Sequence, residues 1–208
     1  MREYHCSYCG KKVNKIQREH VIPSCLYPSS QRLSRVQRIT IPACNECNNG
    51  WSDDEAHFRN ILVLAGEQPN WAREKLWEKI LRSFDEVDGL KRKRDVISCI
   101  KSIESNKGNI DMVFPGEQER IKRVVKKIIR GLSHYHKIMS AVAEDRVWVD
   151  VLKYKVPERF ILEMTSNHRG KDIVEYKYSV LNEDNINSAW LITFFESVTF
   201  IGYVIDNE

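Results

Sequence analysis

The sequence predicts an α+β fold, with a small metal-stabilised module at the N-terminus, a helical middle and a C-terminal antiparallel β-sheet. Three observations lead to this prediction. Five of the six cysteines lie within residues 1–51, and apolar residues recur at the helical period in the middle of the chain. Alternating or aromatic-rich runs separated by short turns fill residues 146–206. We expect one unit over residues 1–66 and a second over residues 67–208.

Composition indicates an ordinary globular protein. The 208 residues are 42% hydrophobic and 30% charged, which argues against a disordered chain. No apolar run approaches the roughly 20 residues that span a bilayer. The opening stretch "MREYHCSYCG" lacks the apolar core of a signal peptide. We therefore expect a cytoplasmic protein, in which paired cysteines bind metal more often than they form disulfides.

Charge is unevenly distributed along the chain. The net charge is +4, with residues 1–60 and 91–130 basic and residues 61–90 and 131–208 acidic. Such segregation suits a polyanion bound on one face, although a solvated helix surface explains a charge run equally well. Charge alone therefore leaves nucleic-acid binding open.

The cysteine spacing predicts a metal site. Two C-x-x-C hooks are formed by Cys6, Cys9, Cys44 and Cys47. Four thiolates close a tetrahedral Zn²⁺ site and leave no position free for catalysis, so we expect a structural zinc. Residues 10–43 separate the hooks by more than the roughly 15–20 residues of a compact zinc ribbon, so further structure is inserted there. We expect Cys25 and Cys99 to be ordinary buried thiols.

Helix signals follow the second hook. Residues 39–43 are predicted as a strand, and "SDDE" at residues 52–55 has the form of a capping box that begins a helix reaching about Gly66. Pro69 and Asn70 mark the start of another helix.

Within residues 89–118 the sequence predicts a strand, a loop and a turn. An amphipathic helix is predicted over residues 117–131. Its predicted apolar face consists of Ile121, Val124, Val125, Ile128 and Ile129. Its opposite face carries Arg120, Lys122, Arg123, Lys126, Lys127 and Arg130. The expected strands are "RVWVDVLKY", "RFILEMT", "VEYKYSVL", "AWLITFFES" and "VTFIGYVID", which no crossover helix interrupts.

Three residues near the hooks could carry phosphodiester hydrolysis. That reaction needs a base that deprotonates water and a cation near the scissile phosphate. His20 can be a neutral base at physiological pH. Glu19 and the amide oxygen of Asn48 are ligands that Mg²⁺ or Mn²⁺ accepts, if the hooks bring them together. Because Asn48 directly follows Cys47, the structural metal would hold its backbone in place.

The order "CSYC", "EHVIP" and "ACNECNNGWSDDE" resembles the HNH endonuclease superfamily, which has a ββα-metal fold. The most similar patterns are the four-cysteine HNH endonucleases and, more distantly, the T-even phage endonuclease that resolves branched DNA. The resemblance covers about residues 4–60. It implies that Glu19 is the acidic metal ligand, that His20 is the general base and that Asn48 is the ligand opposite Glu19. It also implies that the four cysteines bind zinc.

Three departures from the HNH pattern are visible. Many HNH proteins carry a central asparagine that orients the histidine, whereas this chain has "QRITIPAC" there, so Gln37, Thr40 or a backbone carbonyl would have to serve. The acidic residue is Glu19 rather than the more frequent Asp. Glu55 and His57 are further candidate ligands, with a capping residue and a surface histidine as the plainer alternatives.

Basic residues around the site are candidates for phosphate contacts. Candidates for nucleic-acid binding are Lys11, Lys12, Lys15, Arg18, Arg32, Arg35 and Arg38. The basic face of the 117–131 helix is a second candidate surface. Trp51 could stack on a base or pack against the zinc module. No motif predicts base contacts, so we expect phosphate-led binding of DNA, with RNA as an alternative.

Three hypotheses follow for function. The leading one is a metal-dependent HNH endonuclease with a single Mg-type ion. The second is a zinc-stabilised nucleic-acid-binding or regulatory protein without catalysis, which the missing asparagine favours. The third is a structural or protein-interaction module built on the C-terminal sheet. Under any of the three, the five expected strands could form a homodimer interface, a specificity domain or a cap.

Overall fold

The computed structural model describes residues 3–29, 36–64, 70–99, 101–104, 110–113, 115, 118–170, 172–183 and 185–206. The strands are β1 Tyr4–His5, β2 Lys12–Val13, β3 Gln17–His20, β4 Thr40–Ala43, β5 Lys101–Glu104, β6 Ile110–Val113, β7 Val147–Val151, β8 Thr165–His168, β9 Val174–Glu183, β10 Ile186–Phe194 and β11 Val198–Ile205. The helices are α1 Asn45–Asn49, α2 Ser52–Leu64, α3 Trp71–Phe84, α4 Gly89–Cys99, α5 Glu119–Tyr135 and α6 Glu158–Glu163. The fold is thus mixed helix and sheet.

The expected C-terminal antiparallel sheet is confirmed. Its five strands have the order β7-β11-β10-β9-β8, with β8 to β11 forming a meander and β7 pairing with β11 at one edge. Alternation along β10 and β11 buries one face of this sheet, where Trp190, Ile192 and Phe200 are inaccessible to solvent. Short two-stranded ribbons, β1–β2 and β3–β4, lie near the N-terminus.

Helix α5 lies between the N-terminal ribbons and the C-terminal sheet. A Cβ added to Gly131 would stand 2.8 Å from Val21 Cγ1, so the helix backbone approaches the residues after β3 closely. On the sheet side, Ile129 Cδ1 would stand 2.4 Å from a Cβ added to Gly202 of β11. Glycine at both positions permits this close packing.

Helix α2 also contacts the sheet. Phe58 is fully buried, and its ring packs edge-on against Phe194 with centroids 5.1 Å apart and against Phe200 at 6.0 Å. These contacts belong to one continuous apolar core that includes Leu26 near the N-terminus. The two sequence units that we expected therefore share a single core.

Several predicted elements match the structure. Strand β4 coincides with the predicted strand at residues 39–43, and α2 begins at Ser52 as expected. Asn70 caps α3, since its side-chain oxygen accepts a bond from the backbone N–H of Arg73 at 3.1 Å. Helix α5 begins two residues later than predicted and extends to Tyr135, and all five residues of its predicted apolar face are buried.

One helix was not predicted, and one predicted strand is wrong. Residues 89–118 do contain strands, β5 and β6, but residues 89–99 form helix α4. The helical pattern of α4 is weak because Val96 is its one buried apolar residue, while Leu90 and Ile97 stay exposed. "RFILEMT" is mostly helix α6, which follows Pro157, whose φ of −56° suits the start of a helix. The fifth strand of the sheet is instead β8, with the sequence "TSNH".

Within the described residues, no helix combines the length and apolar character that crossing a membrane requires.

The Phe58 contacts predict a large stability loss when the ring is removed. Phe58→Ala is expected to lower the free energy of unfolding by about 3–5 kcal/mol, because it empties a fully buried site. The matched control is Phe160→Ala on α6, where the side chain is half exposed and the expected change is within about 0.5 kcal/mol. Urea unfolding followed by circular dichroism and tryptophan fluorescence measures both. Two separable transitions would contradict the continuous core.

Candidate metal centre and surrounding residues

The two cysteine hooks converge as their spacing predicts. Cys6 and Cys9 lie in the turn between β1 and β2, which Gly10 closes with a φ of 69°. Cys44 precedes α1 and Cys47 lies within it. All four sulfur atoms are within 4.8 Å of one another, and the Cys9 and Cys44 sulfurs are 3.9 Å apart. Such a cluster could hold a metal such as zinc, for which bonds of about 2.3 Å give sulfur separations near 3.8 Å.

The thiols differ in how readily they lose a proton. Burial raises the pKa of Cys47, and its hydrogen-bonded neighbour Cys44 raises it further. Burial also raises the pKa of Cys6, but backbone N–H groups, that of Cys44 foremost, outweigh it and lower the pKa to about 7. One thiolate is therefore favoured, and a bound cation would favour ionisation of the others.

The insert between the hooks forms the β3–β4 ribbon, which carries Glu19 and His20. Glu19 pairs with Ile41 and His20 with Thr40. Alternation along β3 directs Glu19 and His20 to opposite sides of the ribbon. His20 is the last residue of the strand, so the two side chains flank its end.

Glu19 points into the protein and meets a partner that the sequence did not predict. Its carboxylate accepts a hydrogen bond from the ammonium of Lys127 on α5, and the Glu55 carboxylate of α2 accepts one from the same ammonium. Lys127 is fully buried, and Glu19 is 8% exposed. Burial raises the pKa of Glu19, and the charge of Lys127 opposes that rise. Glu55 therefore joins Glu19 instead of closing the expected capping box.

A signal for Lys127 was present in the sequence. It follows Val124 by three residues and precedes Gly131 by four, so it continues the buried stripe of α5. The sequence nevertheless predicts a position on the basic face, because a lysine is seldom buried without a partner.

His20 occupies a desolvated position. Its Nδ1 atom is buried and has no hydrogen-bond partner among the described residues. Burial lowers the pKa of His20, and the positive charges of Arg38 and Lys127 lower it further. The ring is therefore neutral at neutral pH. None of the three predicted substitutes for the missing asparagine, Gln37, Thr40 or a backbone carbonyl, forms a hydrogen bond with Nδ1 among the described residues, although Thr40 lies directly across the ribbon.

Asn48 lies against the strand that carries Glu19. Its Nδ2 group donates to Gln17 Oε1 at 2.6 Å and to Asn49 Oδ1 at 3.2 Å. Gln17 and Glu19 share one side of β3, since they are two residues apart. Asn49 turns back to donate to Asn45 within α1.

His57 is not brought to this cluster. It follows Glu55 by two residues, which places it about 200° around α2. It bonds to Gln118 at 2.7 Å through Nε2, and the Cys99 sulfur lies 3.9 Å from the same atom. The structure thus separates His57, a candidate ligand from the sequence, from Glu19 and Glu55.

The candidate phosphate-binding residues fall into two groups. Lys11, Lys15 and Arg18 are exposed, whereas Lys12 pairs with Glu3 at 2.9 Å. The guanidinium of Arg38 stacks over the Tyr27 ring at 4.9 Å. Arg32 and Arg35 lie outside the described residues.

The basic face of α5 is largely engaged within the protein. Arg120 and Arg123 both pair with Asp54, at 2.8 and 2.9 Å. Lys127 is buried, and Arg130 is 6% exposed and donates to the carbonyl of Tyr8. This finding argues against α5 as a second nucleic-acid surface.

Trp51 packs inside the module rather than offering a face to a base. It is 6% exposed, and its indole N–H donates to the carbonyl oxygen of Cys47 at 2.6 Å. Arg123 lies over the ring at 4.7 Å.

Comparison with known proteins identifies no relative. The chain matches no family model, no curated protein and no solved structure. The case for function therefore depends on the residues and geometry described above.

The cysteine cluster predicts a metal requirement for stability. Purified protein is expected to carry about one zinc ion per chain, and Cys44→Ser is expected to lose it and to melt at lower temperature, because a thiolate ligand is removed. Elemental analysis and thermal unfolding measure both. Cys25→Ser is the matched control, since Cys25 lies outside the cluster. Full zinc content in Cys44→Ser would contradict the assignment.

Proposed function

We propose that this protein is a metal-dependent endonuclease of HNH type that hydrolyses phosphodiester bonds in nucleic acid, with DNA as the expected substrate. One observation carries the proposal: the hydrogen bond from Asn48 to Gln17, which seats Asn48 beside the strand bearing Glu19 and His20. These are the three residues proposed for phosphodiester chemistry, and Asn48 comes from a segment distant in sequence from Glu19 and His20.

The cysteine cluster supplies the rigidity that this arrangement requires. Cys44 and Cys47 hold α1 at both ends of its first turn, so Asn48 follows directly from a fixed residue. A zinc ion on the four thiolates would be structural, because no coordination position remains for water or substrate.

Carboxylate and amide oxygens near Asn48 suit a hard divalent cation. Glu19 and Asn48 are the proposed ligands for Mg²⁺ or Mn²⁺. Glu55 is a third candidate oxygen ligand, because its carboxylate and that of Glu19 both accept hydrogen bonds from the Lys127 ammonium. Such an ion would supply positive charge at the scissile phosphate.

His20 is the proposed general base. Its lowered pKa keeps the imidazole neutral, so a ring nitrogen is free to accept a proton from the attacking water. Its position at the end of β3 lets a phosphodiester reach the histidine and the Glu19 side of the ribbon together.

Arg18 shares the His20 side of β3, two residues before it, and is exposed. Lys11 and Lys15 extend the positive charge along the preceding segment. These three residues are the proposed contacts to the phosphate backbone.

A second function has its own observation in favour. Lys127 already neutralises Glu19, which is the state expected of a protein that binds nucleic acid without metal-dependent cleavage. The absence of a partner for His20 Nδ1 in the described structure agrees with that alternative.

Plasmid nicking separates the two functions. Zinc-loaded wild type is expected to nick supercoiled plasmid when Mg²⁺ or Mn²⁺ is present, and His20→Ala is expected to lose about 10²–10⁴-fold in rate because the base is gone. His134→Ala is the control, since this histidine lies near the end of α5 and bonds to the carbonyl oxygen of Ser140. Unchanged nicking by His20→Ala, with zinc content and melting temperature preserved, would rule out the role of His20. Binding without cleavage under any divalent ion would favour the second function.

Salt dependence tests the phosphate contacts. Arg18→Gln is expected to reduce the slope of log affinity against log salt by about 0.9, because one phosphate contact releases roughly one counterion. Arg159→Gln on α6 is the control, because this side chain stacks on Phe160 far along the chain from the ribbon. Fluorescence anisotropy with duplex DNA measures both slopes, and an equal slope for Arg18→Gln and wild type would remove Arg18 from the interface.

A further inference from the structure

Two carboxylates from different elements converge on one buried cation. Glu19 comes from β3 and Glu55 from α2, and both accept hydrogen bonds from the Lys127 ammonium of α5. Lys127 has no solvent-exposed surface, and the two carboxylate side chains are 11% and 16% exposed. The ammonium therefore fills a defined position between two oxygen donors.

The charges at this position do not cancel. Two carboxylates and one ammonium leave a net charge of −1 in a buried environment, where uncompensated charge is costly. A divalent cation in the same position would balance the two carboxylates, and the Lys127 ammonium would then need other partners for its own charge. Carboxylate oxygens are also the ligands that Mg²⁺ and Mn²⁺ prefer.

Tyr8 provides an independent indication of a ligand. Its side chain is 1% exposed, and its hydroxyl finds no hydrogen-bond partner within the described part of the chain. A Cβ added to Gly131 would stand 3.1 Å from this hydroxyl, which therefore lies against α5 about one turn beyond Lys127. A buried hydroxyl is seldom left unpaired, which supports a bound ion or its water beside the Tyr8 hydroxyl.

Lys127 has other partners to which it could move. The carbonyl oxygen of His20 lies 3.4 Å from its Nζ atom, and the ring centroid of Trp51 lies 5.8 Å away. A carbonyl and an indole face both stabilise an ammonium. Withdrawal by a small side-chain rotation would therefore leave the lysine paired.

We propose that the Lys127 ammonium and a divalent cation are alternative occupants of the position between Glu19 and Glu55, so that Lys127 holds the site closed until an ion displaces it. This deepens the proposed function and rests on it for Glu19 as a ligand of the ion. Lys127 is thus a positioning residue that sets the ion concentration at which the site fills.

Mn²⁺ binding without nucleic acid tests the exchange. Zinc-loaded full-length protein is titrated with Mn²⁺, and free Mn²⁺ is counted by electron paramagnetic resonance. Lys127→Met keeps the aliphatic bulk but removes the competing charge, so it is expected to bind Mn²⁺ at least about tenfold more tightly than wild type. Lys126→Met, on the neighbouring position of α5, is expected to match wild type. The double variant Lys127→Met/Glu55→Gln is expected to lose the gain.

Equal affinity of Lys127→Met and wild type would overturn the proposal, and so would a gain that survives Glu55→Gln. If Lys127→Met is unfolded without divalent ions, it is expected to fold on addition of Mn²⁺, as followed by circular dichroism; failure to fold with Mn²⁺ would also overturn it. Tighter Mn²⁺ binding together with no plasmid nicking would refute the nuclease alone, while nicking without the affinity gain would refute the exchange alone.

Discussion

A lysine ammonium with no access to water must find its counter-charges where it lies, and in this protein that constraint joins three elements. Lys127 of α5 is satisfied by Glu19 of β3 and Glu55 of α2. Removing one member of such a buried group commonly costs about 3–5 kcal/mol, because the remaining charge is left unpaired. The position of Glu19, and with it the end of β3, therefore depends on a helix far along the chain. The candidate centre is completed by α5 rather than contained in residues 1–66.

The cysteine cluster and the apolar core both hold the β3–β4 ribbon in place. The four thiols hold the β1–β2 turn and α1, which sets Asn48 against Gln17. Helix α5 packs against the residue after β3 at Gly131 and against the sheet through Ile129. The ribbon that carries Glu19 and His20 is thus held by the cysteine cluster on one side and by helix packing on the other. Such double support suits a centre whose side chains must stay within a fraction of an ångström of their working geometry.

Local patterns in the sequence were sufficient to predict much of this. The hook spacing predicted the cysteine cluster, the five apolar residues of α5 predicted its buried face, and the Asn70 cap predicted the start of α3. Each of these depends on residues close together in sequence, or on ligand chemistry that only a few residue types provide. Helix α4 was missed because it buries little, and α6 because three adjacent apolar residues look alike in a strand and in a short helix.

The contacts that sequence could not predict are the long-range ones. Nothing near Lys127 indicates that its partners are Glu19 and Glu55, and nothing near His57 indicates Gln118 and Cys99. These pairings follow from how α2 and α5 pack, which is a property of the whole core. They define the site more than any element boundary does, because they separate His57 from Glu19 and bring Lys127 to it.

The central claim is that Glu19 belongs to a divalent-cation centre separate from the cysteine cluster. A crystal structure of the zinc-loaded protein soaked in Mn²⁺, with anomalous data collected at the manganese and zinc edges, tests it most directly. A manganese peak is expected between the Glu19 and Glu55 carboxylates, with the Lys127 ammonium displaced. Zinc alone at the cysteines, with Lys127 still between the two glutamates at saturating Mn²⁺, would contradict it.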